Sequence, residues 1–110
     1  MGIKRVWQAW TTPENADVYE ALLAEEIFPG IIATGIDGLD KIELLRRSVG
    51  GEVEFMVTMY LDSEGSIKKM AGDDAEKAYV PDSARKVLKR FEDRARHFEI
   101  RQQHVLADLG

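Results

Sequence analysis

Between Val53 and Leu61 every second residue is apolar: Val53, Phe55, Val57, Met59 and Leu61. A period of two marks a β-strand with one buried face. The intervening positions hold Glu54, Met56, Thr58 and Tyr60, so the second face is only half polar. A sheet with helices on one side and water on the other alternates cleanly between apolar and polar residues. The mixed face therefore predicts a cover, and in so short a chain a second copy of the same sheet supplies it most simply. Upstream, Lys41 to Arg47 reads as a strand, and Gly50-Gly51 as the hairpin turn joining the two.

The same pattern organises the rest of the chain. Ile3 to Trp10 is rich in β-branched and aromatic residues and predicts a first strand. Thr11-Thr12-Pro13-Glu14 is a helix start, with either Thr11 and Glu14 in a capping box or Thr12 as cap before Pro13. Ala16, Tyr19, Leu23 and Ile27 then recur at helical spacing. Pro29-Gly30 predicts an end or kink near Phe28, and Gly35 to Gly38 a loop. Asp62-Ser63 caps a short helix from Ser66 to Ala71, with Ile67 and Met70 inward and Gly72 as its stop. Asp82 caps a further helix whose stripe is Ala84, Val87, Leu88 and Phe91. Arg94 to Gln103 reads as a last strand, and His104 to Gly110 as a tail that frays or docks on a partner. The order strand, helix, strand, strand, helical segments, strand predicts an α+β, ferredoxin-like split βαβ domain spanning residues 1–110. Its four-stranded antiparallel sheet has helices on one face, and the mixed open face predicts sheet-to-sheet homodimerisation.

Composition narrows the chemistry. With 110 residues the chain has the length of one domain. The net charge of -5 and pI near 5.0 disfavour nonspecific binding to nucleic acid or anionic membrane. The absence of cysteine excludes disulfides, thiolate nucleophiles and cysteine-ligated metal, and fits a cytoplasmic location. No secretory signal or membrane-spanning stretch is evident, and Val6 breaks the myristoylation motif that Met1-Gly2 suggests. An RNA-binding sheet of this topology carries a basic-aromatic run on its third strand. Gly51-Glu52-Val53-Glu54-Phe55 is acidic there, so no nucleic-acid partner is expected.

Several runs resemble the antibiotic biosynthesis monooxygenase family. They are Val6-Trp7-Gln8-Ala9-Trp10-Thr11-Thr12-Pro13-Glu14-Asn15-Ala16 followed by Tyr19, Glu26-Ile27-Phe28-Pro29-Gly30-Ile31, Leu44-Leu45-Arg46-Arg47, Val53-Glu54-Phe55 and His97-Phe98-Glu99-Ile100. The resemblance spans roughly Ile3 to Ile100. It implies a dimeric α/β barrel of two ferredoxin-like protomers packed sheet to sheet. It further implies a small-molecule ligand and, as an activity, oxygenation of an aromatic, quinol or polyketide-like substrate without metal, flavin or other cofactor. The alternative is a non-catalytic ligand-binding or stress-related barrel. A heme-degrading branch of the family uses an asparagine, a tryptophan and a histidine. Here Tyr60-Leu61 stand where the tryptophan belongs and no histidine follows the third strand in the helical region, which argues against heme chemistry.

Candidate site residues follow from that architecture. Trp7, Trp10, Phe28 and Met70 are candidate substrate-binding residues, because aromatic and thioether side chains make large apolar walls. Trp7 and Trp10 are three apart, so a straight strand points them to opposite faces, one to a cleft and one to the dimer seam. His97 and Tyr60 are the candidate catalytic residues. His97 titrates near neutrality and suits proton transfer from a phenolic or enolic substrate; its bland alternative is a structural hydrogen bond. With two histidines in the chain, no metal site is expected, and the cluster Asp73, Asp74, Glu76 reads as a solvated loop.

Overall fold

The computed structural model describes residues 2–107; Met1 and the last three residues of the predicted tail, 108–110, lie outside the described residues. Strand β1 (Ile3–Thr11) leads into helix α1 (Pro13–Leu22). Of the two capping readings, the structure takes the second. Thr12 is the N-cap, its hydroxyl accepting from the Asn15 N–H at 3.3 Å, with Pro13 as the first helical residue. Thr11 remains in the strand.

The predicted break at Pro29 is not a break. The chain passes through a π-helical turn, Leu23–Ile27, into helix α2 (Phe28–Ala33). Proline has no N–H, and its ring clashes with the carbonyl four residues back in a regular α-helix. Widening the preceding turn, so that the Phe28 N–H bonds to Leu23 O, lets the helix continue with Pro29 in its new first turn.

Strands β2 (Leu39–Val49) and β3 (Glu52–Leu61) form the central hairpin. Gly50 and Gly51 both have positive φ (55° and 81°), as a two-residue turn matched to strand twist requires. Helix α3 (Glu64–Ala71) starts at the Ser63 cap and stops at Gly72, φ 78°. The following region differs from the predicted long helix. Helix α4 (Asp82–Arg85) is a single turn with Pro81, not Asp82, at its N-cap. Its continuation is drawn to the free edge of β1 instead. The Lys89 N–H bonds to Trp10 O at 2.8 Å and the Glu92 N–H to Gln8 O at 3.0 Å. These backbone bonds override the helical spacing of Val87, Leu88 and Phe91. The end of the predicted helix accordingly becomes β4 (Arg90–Phe91), and the predicted last strand, Arg94 to Gln103, shortens to β5 (Arg96–Glu99); both run antiparallel to β1.

The sheet order is β2-β3-β1-β4, with β5 also on β1, so one interrupted ribbon plays the part of a fourth strand. The helices lie on one face. Register places Arg5, Trp7, Ala9 and Thr11 of β1 on that face beside Met59, Val57, Phe55 and Val53 of β3. The other face carries Lys4, Val6, Gln8 and Trp10 beside Tyr60, Thr58, Met56 and Glu54. The core beneath the helices falls into two clusters, one around Tyr19, Phe55 and Val80 and one around Val57, Leu61 and Ile67. Trp7 and Phe28 touch both. No helix among the described residues is long and apolar enough to cross a membrane.

Candidate functional site

A cavity of about 570 Å³ opens between the helical layer and the sheet. That volume suits a small organic ligand, whose pockets run roughly 300–1,000 Å³. Its wall draws on both core clusters: Tyr19 and Val80 from one, Val57 and Met59 from the other. The π-helical turn and α2 supply Ile27, Phe28 and Ile31, α3 supplies Met70, and the loop before α4 supplies residues from Lys77 to Pro81.

Trp7, Phe28 and Met70 therefore meet in one cavity. The indole N–H of Trp7 is already committed, donating to Glu92 O at 2.6 Å, so this side chain offers a ligand its apolar ring. Tyr19 is almost fully buried, with its ring edge-on to Phe55 at 5.0 Å between centroids. Burial pushes its phenol well above the ordinary value, so the hydroxyl stays protonated across the physiological range.

Trp10 and Tyr60 sit on the opposite face of the sheet, away from this cavity. The Trp10 ring lies under the Arg90 guanidinium at 4.4 Å, and the Tyr60 ring has the Lys41 and Lys4 ammonium groups at 5.0 and 5.1 Å. That face is a mosaic. Its polar part is a chain of contacts from Arg47 to Glu54, Glu54 to Gln8, and Gln8 to Arg96. Its apolar part includes Val6, Met56, and the exposed Leu45 and Phe98.

His97 faces the helical layer, paired across the ladder with Arg5. Arg5 lines the cavity and is 8% exposed. Its Nη1 lies 2.7 Å from His97 Nε2 and donates to Ala75 O at 2.6 Å, while Nη2 donates to Lys77 O at 2.9 Å. A guanidinium only donates, so His97 Nε2 accepts and the imidazole proton sits on Nδ1. Burial first, and the Arg5 charge second, hold the His97 pKa below its ordinary value, with Glu76 pulling the other way. Asp74 and Glu76 of the acidic loop answer to Arg94, at 2.6 and 3.9 Å.

Sequence reasoning missed Arg5 and Tyr19. The signal for Arg5 was available: it shares the inward parity of Trp7 and Ala9, where a charged residue is out of place. Tyr19 lies on the buried stripe of α1, and helical spacing alone does not separate a core residue from one that lines a cavity.

No family model and no curated protein matches the chain. Solved structures do. A candidate antibiotic biosynthesis monooxygenase from Bacillus cereus superposes with a TM-score of 0.70 at 12% identity, covering 97% of this chain and 98% of that one. A second, from Chloroflexus aurantiacus, gives 0.60 at 16% identity with 97% and 100% covered. A Mycobacterium tuberculosis protein gives 0.57 at 14% identity with 96% and 100% covered. Identities this low speak for the fold and not for an activity. Near-complete coverage in both directions, with the strand order and one-sided helices described above, shows that this chain takes the α+β, ferredoxin-like fold of the antibiotic biosynthesis monooxygenase-like proteins.

Proposed function

We propose that the chain binds a small, largely aromatic molecule in the cavity between sheet and helices, and oxygenates it without a cofactor. The observation that carries the reading is the cavity itself, walled by Trp7, Phe28 and Met70 in a region that the fold otherwise fills with core. For an anthrone-like substrate the reaction is R₂CH₂ + O₂ → R₂C=O + H₂O. Loss of a proton gives a carbanion stabilised as its enolate. One electron passes to dioxygen, the radical pair joins as a peroxide anion, this takes up the proton released in the first step to become the hydroperoxide, and that species expels water to leave the ketone. The protein's part is to exclude bulk water and to stabilise the enolate oxygen electrostatically. Arg5 is the group suited to the second task. In this reading His97 holds Arg5 in place and is a positioning residue. Tyr60 and Trp10 belong to the face that meets a second copy, giving the dimeric barrel.

An oxygen electrode with an anthrone and hydroquinone panel tests the proposal. Uptake of one O₂ per ketone formed supports it; neither uptake nor binding at high protein concentration overturns it. One observation favours a non-catalytic alternative: His97 Nε2 is occupied by Arg5, so the imidazole offers no free basic nitrogen. Tight ligand binding with no oxygen consumption would select that reading.

A further inference from the structure

The cavity has one buried charge, and no described carboxylate pairs with it. Arg5, Glu26 and Lys77 are the charged residues of the wall, and only Arg5 is buried. Desolvation costs a buried ion several kcal/mol by itself, and native proteins offset this with an opposite charge. Arg5 makes no ion pair with any described carboxylate. Glu76, which attracts it at longer range, pairs with Arg94 instead. The three partners of Arg5 are two carbonyl oxygens and a neutral imidazole. They satisfy hydrogen bonds and fix the plane of the guanidinium without cancelling its charge.

A guanidinium has five N–H groups. Two on Nη1 and one on Nη2 are engaged, which leaves Nε–H and one Nη2–H without an acceptor among the described residues. Nε and Nη2 are neighbours on the planar guanidinium, so an anion can accept from its unengaged donors. The wall is apolar for the most part, which strengthens a charge-assisted hydrogen bond made against it.

We infer that the ligand of this cavity is an organic anion, an aromatic body bearing a carboxylate or an acidic phenolate or enolate oxygen, and that Arg5 is its recognition residue. The inference rests on the proposed ligand-binding role of the cavity and adds the charge of the ligand to it.

Three probes of one shape separate the two ideas: 2-naphthoate, neutral 2-naphthamide and cationic 2-naphthylmethylammonium, each titrated calorimetrically into the full chain. The expected order is naphthoate tightest, by about tenfold over the amide, with the ammonium weakest. In Arg5→Met and Arg5→Gln the preference for naphthoate over the amide falls to within about twofold; in Lys77→Ala it persists. Equal binding of acid and amide to the unmodified protein overturns the assignment of an anion and leaves the cavity reading intact. Loss of the preference in Lys77→Ala, or its survival in both Arg5 variants, overturns the assignment to Arg5. If no probe binds at millimolar concentration, the ligand-binding reading fails and this inference with it. The probe comparison on the unmodified protein is decisive even where an Arg5 variant does not fold.

Discussion

His97, partly buried and set against Arg5, adds a pH dependence to the stability of this protein. The folded imidazole has a lowered pKa, because protonation would cost it burial and set it against a guanidinium. An unfolded histidine titrates near 6.5. The contribution is therefore complete above about pH 6.5 and is lost as the pH falls through the depressed folded value. We expect the melting temperature to fall more steeply between pH 7 and pH 5 for the native sequence than for His97→Gln, whose amide oxygen still accepts from Arg5. Calorimetric scans at fixed ionic strength would show this, and parallel slopes would remove His97 as the titrating group. A second residue speaks on stability alone. Thr11 is fully buried and its hydroxyl has no partner among the described residues. Because an unsatisfied buried polar group costs about 1–3 kcal/mol, Thr11→Val should be neutral or stabilising in urea titrations. A loss of more than about 1 kcal/mol would mean that the hydroxyl is engaged after all.

At the level of elements, two glycines predict opposite outcomes. Gly38 has φ 89°, and a Cβ there would strike the Asp62 carboxylate and the Ser66 hydroxyl. Those two groups bond to each other at the start of α3, so the loop before β2 and the cap of α3 are pressed together at this point. Gly38→Ala should cost at least about 1–3 kcal/mol from backbone strain alone. Gly30 lies within α2, and a Cβ would meet nothing within 4 Å. Gly30→Ala should add about 0.5–1 kcal/mol by helix propensity. Chemical denaturation of both variants is the check; the same sign for the two would refute the local argument. The hairpin and β1 were legible in the sequence because period-two apolarity and a glycine pair are local signals. The helix from Asp82 to Phe91 was not. Its apolar spacing is genuine, but the free edge of β1 offers Trp10 O and Gln8 O as acceptors, and only the fold brings that edge near. The site was half legible for the same reason. Strand parity could place Trp7 inward, yet the distance from Arg5 to His97 spans 92 positions and belongs to the sheet, not to either segment.

For the molecule as a whole, the proposed assembly rests on the open sheet face. Leu45 and Phe98 are about half exposed there in the isolated chain, and Met56 lies across from Leu45 in the ladder. Exposed apolar side chains scattered over an otherwise ordered sheet face suit a surface that a second copy covers. We expect sedimentation to report a particle of twice 12.4 kDa at micromolar concentration. Met56→Glu would set a carboxylate beside Glu54 and shift the species to the single-chain mass with unchanged circular dichroism. A native protein that sediments as one chain would sink the barrel, though not the cavity, which is complete within one protomer.

Both tryptophans of the chain stand on the same strand, three residues apart, and that small fact supplies two spectroscopic reporters. Trp7 looks into the cavity and Trp10 lies beneath Arg90 on the other side. With Trp10→Phe, the remaining emission would report a ligand entering the pocket; with Trp7→Phe, it would report burial of the sheet surface on the proposed pairing of two chains. Ligand entry and association can thus be followed separately, by light, in one small protein that needs no added label.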